Sequence, residues 1–119
     1  MSPTARSLLH LRKRGCLAAT VERWNAYAKV RQDLWGFADI LAIEPGRRGC
    51  LFVQACATGD QAKRLAKLKA EPRVSRCLKA GNRVAVWGWS KRGQRDKRKL
   101  WLLSETRVTL NGHVTEVVG

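Results

Sequence analysis

Asp39 stands in an apolar run, Gly36-Phe37-Ala38-Asp39-Ile40-Leu41-Ala42-Ile43, while the other eight acidic residues occupy polar or turn contexts. In an extended strand, alternation puts Asp39 on the same face as Phe37 and Leu41. A carboxylate there must be paired, metal-bound or able to reach solvent at a strand end. The next apolar run carries a second anomaly, Gln54 in Leu51-Phe52-Val53-Gln54-Ala55-Cys56. If the two runs pair as strands, a carboxylate and an amide oxygen come close enough to share a hard cation such as Mg²⁺, with water or phosphate completing the shell. An ion pair with one of the many arginines would also satisfy Asp39. A backbone hydrogen bond would also satisfy Gln54.

The elements that must position these side chains are marked by periodicity and punctuation. Residues 4–14 read as a helix, with Ser2 or Thr4 to cap it, Pro3 at its start, Leu8, Leu9 and Leu11 on one side and Gly15 to end it. Residues 16–24 read as a strand that starts buried and finishes polar, and 25–35 as a loop with aromatic character. Residues 36–43 form an apolar strand closed by Glu44-Pro45-Gly46, and after Arg47-Arg48-Gly49 residues 50–57 form another. The short connection predicts an antiparallel hairpin. Thr58-Gly59-Asp60 opens a helix to about residue 70, with Ala62, Leu65, Ala66 and Leu68 inward and Lys63, Arg64, Lys67 and Lys69 outward. Pro72 starts a shorter helix that Gly81 stops. Residues 83–89 and 100–110 are further strands, and Asn111-Gly112 turns into a short final one. The order predicts one domain of mixed α/β class.

Charge narrows the partner. Among 119 residues, 24 Lys and Arg face 9 Asp and Glu, a formal charge of +15. A folded domain of that charge points to nucleic acid, because each cation placed on a phosphate releases condensed counterions. The densest segment holds Lys91, Arg92, Arg95, Lys97, Arg98 and Lys99 around a single acid, Asp96, between two strands. It predicts a projecting basic tip, with Trp87, Trp89 and Trp101 beside it. Basic residues next to aromatics suit phosphate contact with stacking or a wedge, although alternation places at least one of Trp87 and Trp89 in the core. The cations of residues 60–70, with Arg6, Arg12, Lys13 and Arg14, would extend the footprint. No base-specific readout is expected. No apolar run reaches the ~20 residues of a membrane span, and residues 1–15 lack the order of a signal peptide. Cys16, Cys50, Cys56 and Cys77 have no zinc-type spacing; Cys16, Cys50 and Cys56 sit in apolar stretches and read as small buried hydrophobes, and reduced thiols in a cytoplasmic setting are the expectation.

This arrangement resembles the PD-(D/E)XK nuclease superfamily, most of all the small Holliday-junction-resolvase-like members of archaea and phages. Gly36-Phe37-Ala38-Asp39 stands for the Gly-x-Pro-Asp motif, with Ala38 in place of proline. Gln54-Ala55-Cys56 stands for the Glu/Gln-x-Lys triplet, with Cys56 in place of lysine, and Thr58 follows where a small hydroxyl residue is common. The resemblance covers roughly residues 4–89. It implies a restriction-endonuclease-like α-β-β-β-α-β core, a mixed central sheet flanked by helices with the basic hairpin added C-terminally. It further implies Mg²⁺- or Mn²⁺-dependent hydrolysis of DNA, branched DNA included, with Asp39 and Gln54 holding the metal. Asp33 is a further ligand candidate, Lys29, Arg31, Lys63 and Arg64 are substitutes for the missing charge, and a two-fold homodimer is implied. The family's first-helix glutamate has no counterpart in residues 4–14. A catalytically inactive DNA-binding module on the same fold, and a basic nucleic-acid-associated assembly protein, are the alternatives.

Overall fold

A computed structural model, described over residues 1–93 and 98–118, arranges the chain as a six-stranded mixed sheet with helices on both faces. Helix α1 spans Pro3–Lys13, with the Ser2 hydroxyl accepting from the Ala5 N–H and Pro3 in the first turn. Strand β1 (Leu17–Thr20) follows, then β2 (Arg23–Asn25), β3 (Val30–Gln32), β4 (Ile40–Ile43) and β5 (Leu51–Ala57). After a 3₁₀ turn at Thr58–Asp60 come α2 (Gln61–Ala70) and α3 (Pro72–Lys79), and then β6 (Arg83–Arg92), β7 (Leu100–Thr109) and β8 (Gly112–Val118). The sheet order is β1-β4-β5-β6-β7-β8. Among the described residues only the β5–β6 pair is parallel, and α2 and α3 form the crossover between them. Among the described residues, no helix is long and apolar enough to cross a membrane.

Alternation in the central strands feeds two apolar layers. Leu11 of α1 packs with Ile40, Val53, Trp87, Trp89 and Leu103 on one face. Leu68 of α2 and Val74 and Cys77 of α3 pack with Phe37, Phe52, Cys56 and Val86 on the other. Strand β5 is buried at six of its seven positions, as a parallel partner covered on both faces must be. Each large apolar side chain sealed this way contributes about 1.5–3 kcal/mol.

The structure departs from the predicted elements around residues 16–39. The strand expected over 16–24 divides. Beyond Thr20 its partner β4 has not yet begun, so Arg23–Asn25 turns away and pairs with Val30–Gln32 in a separate two-stranded ribbon inside the expected loop. Ribbon residues exposed on both sides leave no alternation to read. The strand expected from residue 36 starts at Ile40. Trp35 (φ 53°) and Gly36 (φ 77°) adopt left-handed backbone, and Leu34 bridges to Ala38 in a closed turn. On α2, Ala62 and Ala66 are exposed, and Gln61 takes an inward position with Leu68. Of the predicted basic tip, Arg95 and Lys97 lie outside the described residues; Lys91, Arg92, Arg98 and Lys99 are exposed.

Candidate metal and phosphate site

The hairpin places the two anomalous residues side by side. Ile40 pairs with Val53, so one step along the register Asp39 stands opposite Gln54. The ladder holds the Asp39 backbone although it precedes β4. Its N–H donates to the Val53 carbonyl at 2.8 Å, and its own carbonyl accepts from the Val21 N–H at 2.9 Å. The Asp39 side chain is buried at 4% exposure, and its Oδ2 accepts from the Ala55 N–H and from Gln54 Nε2, each at 2.8 Å.

The Leu34–Ala38 turn returns the chain on itself, which brings Asp33 to the same spot. Gln54 Nε2 also donates to Asp33 Oδ2 at 3.2 Å. Glu22, between β1 and β2, completes the group. One carboxylate oxygen from each of Glu22, Asp33 and Asp39 lies within 4.8 Å of the others, the metal-competent acidic group among the described residues. Glu22 carried no signal in the sequence beyond being an acid at the polar end of a strand. The fold recruits it because β1 ends there, beside Asp39.

Gln54 does not fill the ligand role expected of it in this arrangement. Its amide nitrogen donates to carboxyl oxygens of Asp39 and Asp33, which takes up the N–H₂ end. Its Oε1 is buried without a hydrogen-bond partner among the described residues. Turning the amide about its last bond would aim that oxygen into the group. The three carboxylates offer the oxygen donors that a hard divalent cation takes, and the Gln54 oxygen would join them only after that turn, so the residues present fit a cation of that class.

Without a cation, the carboxyls are compensated by protons and side-chain charges. Burial, and then the hydrogen bond it donates to Asp33, push the Asp39 carboxyl up to about 7. Burial opposes ionisation of Asp33 too. Hydrogen bonds from Asp39 and Gln54, and the charges of Lys67 and Arg64, outweigh it and hold Asp33 below the usual carboxylate range. Lys67 Nζ lies 3.6 Å from Asp33 Oδ2, and Arg31 Nη1 lies 3.0 Å from Glu22 Oε1. A cavity of about 590 Å³ opens beside Asp33, the member of the group that lines it, together with Arg31, Trp35, Arg64, Lys67 and Arg73 among others. Arg31 and Arg64 thus reach the site, whereas Lys63 is exposed elsewhere on α2. Lys67, counted in the sequence only as an outward cation, lines the cavity.

Two other expected site residues are core residues. Cys56 is buried in the α2–α3 layer, and burial pushes its thiol up to about 11, so at neutral pH it is protonated and apolar. Trp89 is 7% exposed and its indole N–H donates to the Ser7 hydroxyl at 2.8 Å, so it packs under α1 instead of stacking at the tip. The exposed aromatics are Trp101, capped by the Arg6 guanidinium at 3.8 Å, Trp24 and Tyr27 on the β2–β3 ribbon, and Trp35 beside the carboxylates. Comparison with protein-family models, with curated proteins and with solved structures finds no match to this chain.

Proposed function

We propose that this protein is a divalent-metal-dependent DNA endonuclease of the PD-(D/E)XK, Holliday-junction-resolvase-like kind. The observation that carries the reading is the convergence of Glu22, Asp33 and Asp39, with Asp33 opening onto a cavity walled by Arg64, Lys67 and Arg73. The run α1, β1, β4, β5, α2, β6 supports a restriction-endonuclease-like α-β-β-β-α-β core, with Asp39 entering its second strand and Gln54 in its third.

Glu22, Asp33 and Asp39 would hold the cation, which supplies polarisation of a phosphoryl oxygen and a water of lowered pKa. The chain's own cations supply the charge that Cys56 lacks. Lys67 and Arg64 on α2 face the cavity and stabilise the charge developing on the phosphate. Gln54 and the Ala55 N–H hold the Asp39 carboxylate in place. Exposed Lys91, Arg92, Arg98 and Lys99 extend the phosphate-binding surface beyond the ends of β6 and β7. A two-fold homodimer, which would match the two equivalent strands of a branched junction, belongs to the same reading; exposed Leu17 and Ile43, paired at the β1 edge, supply an apolar patch for it.

The test is cleavage of a panel of duplex, flapped and four-way DNA with Mg²⁺ or Mn²⁺. Wild-type protein is expected to cut, and Asp39→Ala to lose at least about 10²-fold in rate, the scale of removing one preorganised electrostatic group. Cleavage that survives Asp39→Ala overturns the site. Binding without any cleavage supports the inactive-module reading, which the buried neutral Cys56 favours.

A further inference from the structure

A second cavity, of about 380 Å³, adjoins the carboxylate cavity on its α3 side, and Trp35 and Arg73 line both. Its walls include Phe52 and Cys77, with Arg76 and Asn82 at the rim. The rings of Trp35 and Phe52 lie 6.0 Å apart at 34°, and Trp35 also tilts against Phe37 at 6.4 Å. Trp35 is nevertheless 46% exposed. A bulky residue with φ 53° is strained, and it persists only where its surroundings impose it. Here the Asp33–Ala38 turn imposes it and holds a bare indole at the junction of the two cavities. Glu71 orients Arg73 through a paired contact at 2.7 and 3.2 Å. The Arg73 guanidinium in turn lies 3.7 Å from where a side chain on Gly36 would begin.

The geometry points to a nucleobase subsite. One unstacked base of the DNA strand that crosses the carboxylate cluster inserts beside Trp35, while Arg73 and Arg76 meet the phosphates on either side of it. This rests on the proposed function, since it requires a strand over that cluster. The volume lies in the roughly 300–1,000 Å³ range of small-molecule sites. An aromatic wall stacks any base, and a cationic rim suits the flanking phosphates of a strand. The subsite would make the enzyme prefer DNA with an unpaired base next to the cut.

The deciding experiment measures binding of a labelled duplex with a single-stranded extension, against the same DNA made abasic in the extension, in EDTA so that nothing is cut. Wild-type protein is expected to bind the base-bearing DNA at least about fivefold more tightly, the low end of one base–aromatic stack. Trp35→Ala and Ala80→Tyr are both expected to abolish that preference while keeping wild-type affinity for blunt duplex. Ala80 is an exposed residue lining this cavity at the end of α3, so its tyrosine obstructs the slot without touching the core, and it decides the matter if Trp35→Ala fails to fold. Equal binding of the two DNAs by wild type, or a preference that survives Ala80→Tyr, overturns the subsite. Because the assay involves no cleavage, base preference in a protein that never cuts would sink the nuclease reading alone, and cutting without base preference would sink the subsite alone.

Discussion

Burial favours the neutral form of Asp39 in the bare site and a cation would favour the charged form, and this opposition is measurable. Its folded-state pKa, about 7, lies above the ~3.9 of an unfolded chain. The folded state therefore binds the extra proton between those values. Its contribution to stability is fully present below about pH 4 and is lost as pH rises through 7. Metal-free protein is expected to lose about 1 kcal/mol or more between pH 5 and 8 relative to Asp39→Asn, a difference of about 4 °C or more in melting midpoint for a domain of this length. Asp33, whose pKa is lowered, changes stability only in the acid range below this window. His10, whose pKa is lowered by burial and then by Arg14 and Lys13, gives the opposite slope below its ordinary 6.5, but equally in both proteins, so it cancels in the difference. Adding Mg²⁺ at pH 8 is expected to restore the wild-type midpoint and leave the variant unmoved. Parallel pH profiles of the two proteins would show that Asp39 does not titrate in this range.

At the level of elements, the site depends on how α2 is seated, because α2 carries Arg64 and Lys67. Gln61 in its first turn is buried. Its Nε2 donates to the Ser104 carbonyl at 2.8 Å and the Thr106 hydroxyl at 3.1 Å, which ties the helix to β7 across β6. Gly88 of β6 makes room for this. A Cβ there would stand 2.5 Å from Gln61 Oε1 and 3.1 Å from the Thr58 Cα. Backbone cannot retreat, and the glutamine is held by its hydrogen bonds. Gly88→Ala is therefore expected to cost about 1–3 kcal/mol, the range of overpacking in a close-packed interior. Thermal or urea unfolding checks it, and an unchanged midpoint would mean that α2 is not anchored through Gln61.

For the molecule as a whole, the formal charge overstates the surface available to phosphates. Glu44 is buried among Arg14, Arg47 and Arg83, with contacts of 3.2, 3.6 and 3.0 Å. Arg12 donates to the Ala18 carbonyl, and Arg6 lies on Trp101. Exposed cations stand at the β6–β7 end, at Lys91, Arg92, Arg98 and Lys99, and Arg64 lines the cavity beside Asp33. Duplex affinity is expected to fall at least about 10³-fold between 50 and 200 mM salt if some six phosphates are neutralised. Replacing Lys91, Arg92 and Lys99 together by glutamine should lower the slope of log affinity on log salt by roughly three. Equal replacement at Arg14, Arg47 and Arg83 should instead lower stability. A slope that ignores the tip residues would remove that end from the interface.

The α/β class, α1, the β4–β5 hairpin, both crossover helices and the last three strands were legible in the residues, because periodicity, Pro and Gly report local geometry and burial. So was the meeting of Asp39 and Gln54, since one short turn sets that register. The rest was decided by tertiary structure. Asp33 was legible only as a ligand candidate and Glu22 not at all, and they join Asp39 because β1 stops at Thr20 and a left-handed turn at Trp35 and Gly36 folds the next segment back. Lys67 became a site residue, and Trp89 a core residue, through the packing of helices on the sheet, whereas the burial of Cys56 was legible in the apolar stretch that holds it. Composition reveals how much charge and aromatic surface a chain has. Which of it faces a phosphate depends on long-range contacts that no local pattern encodes.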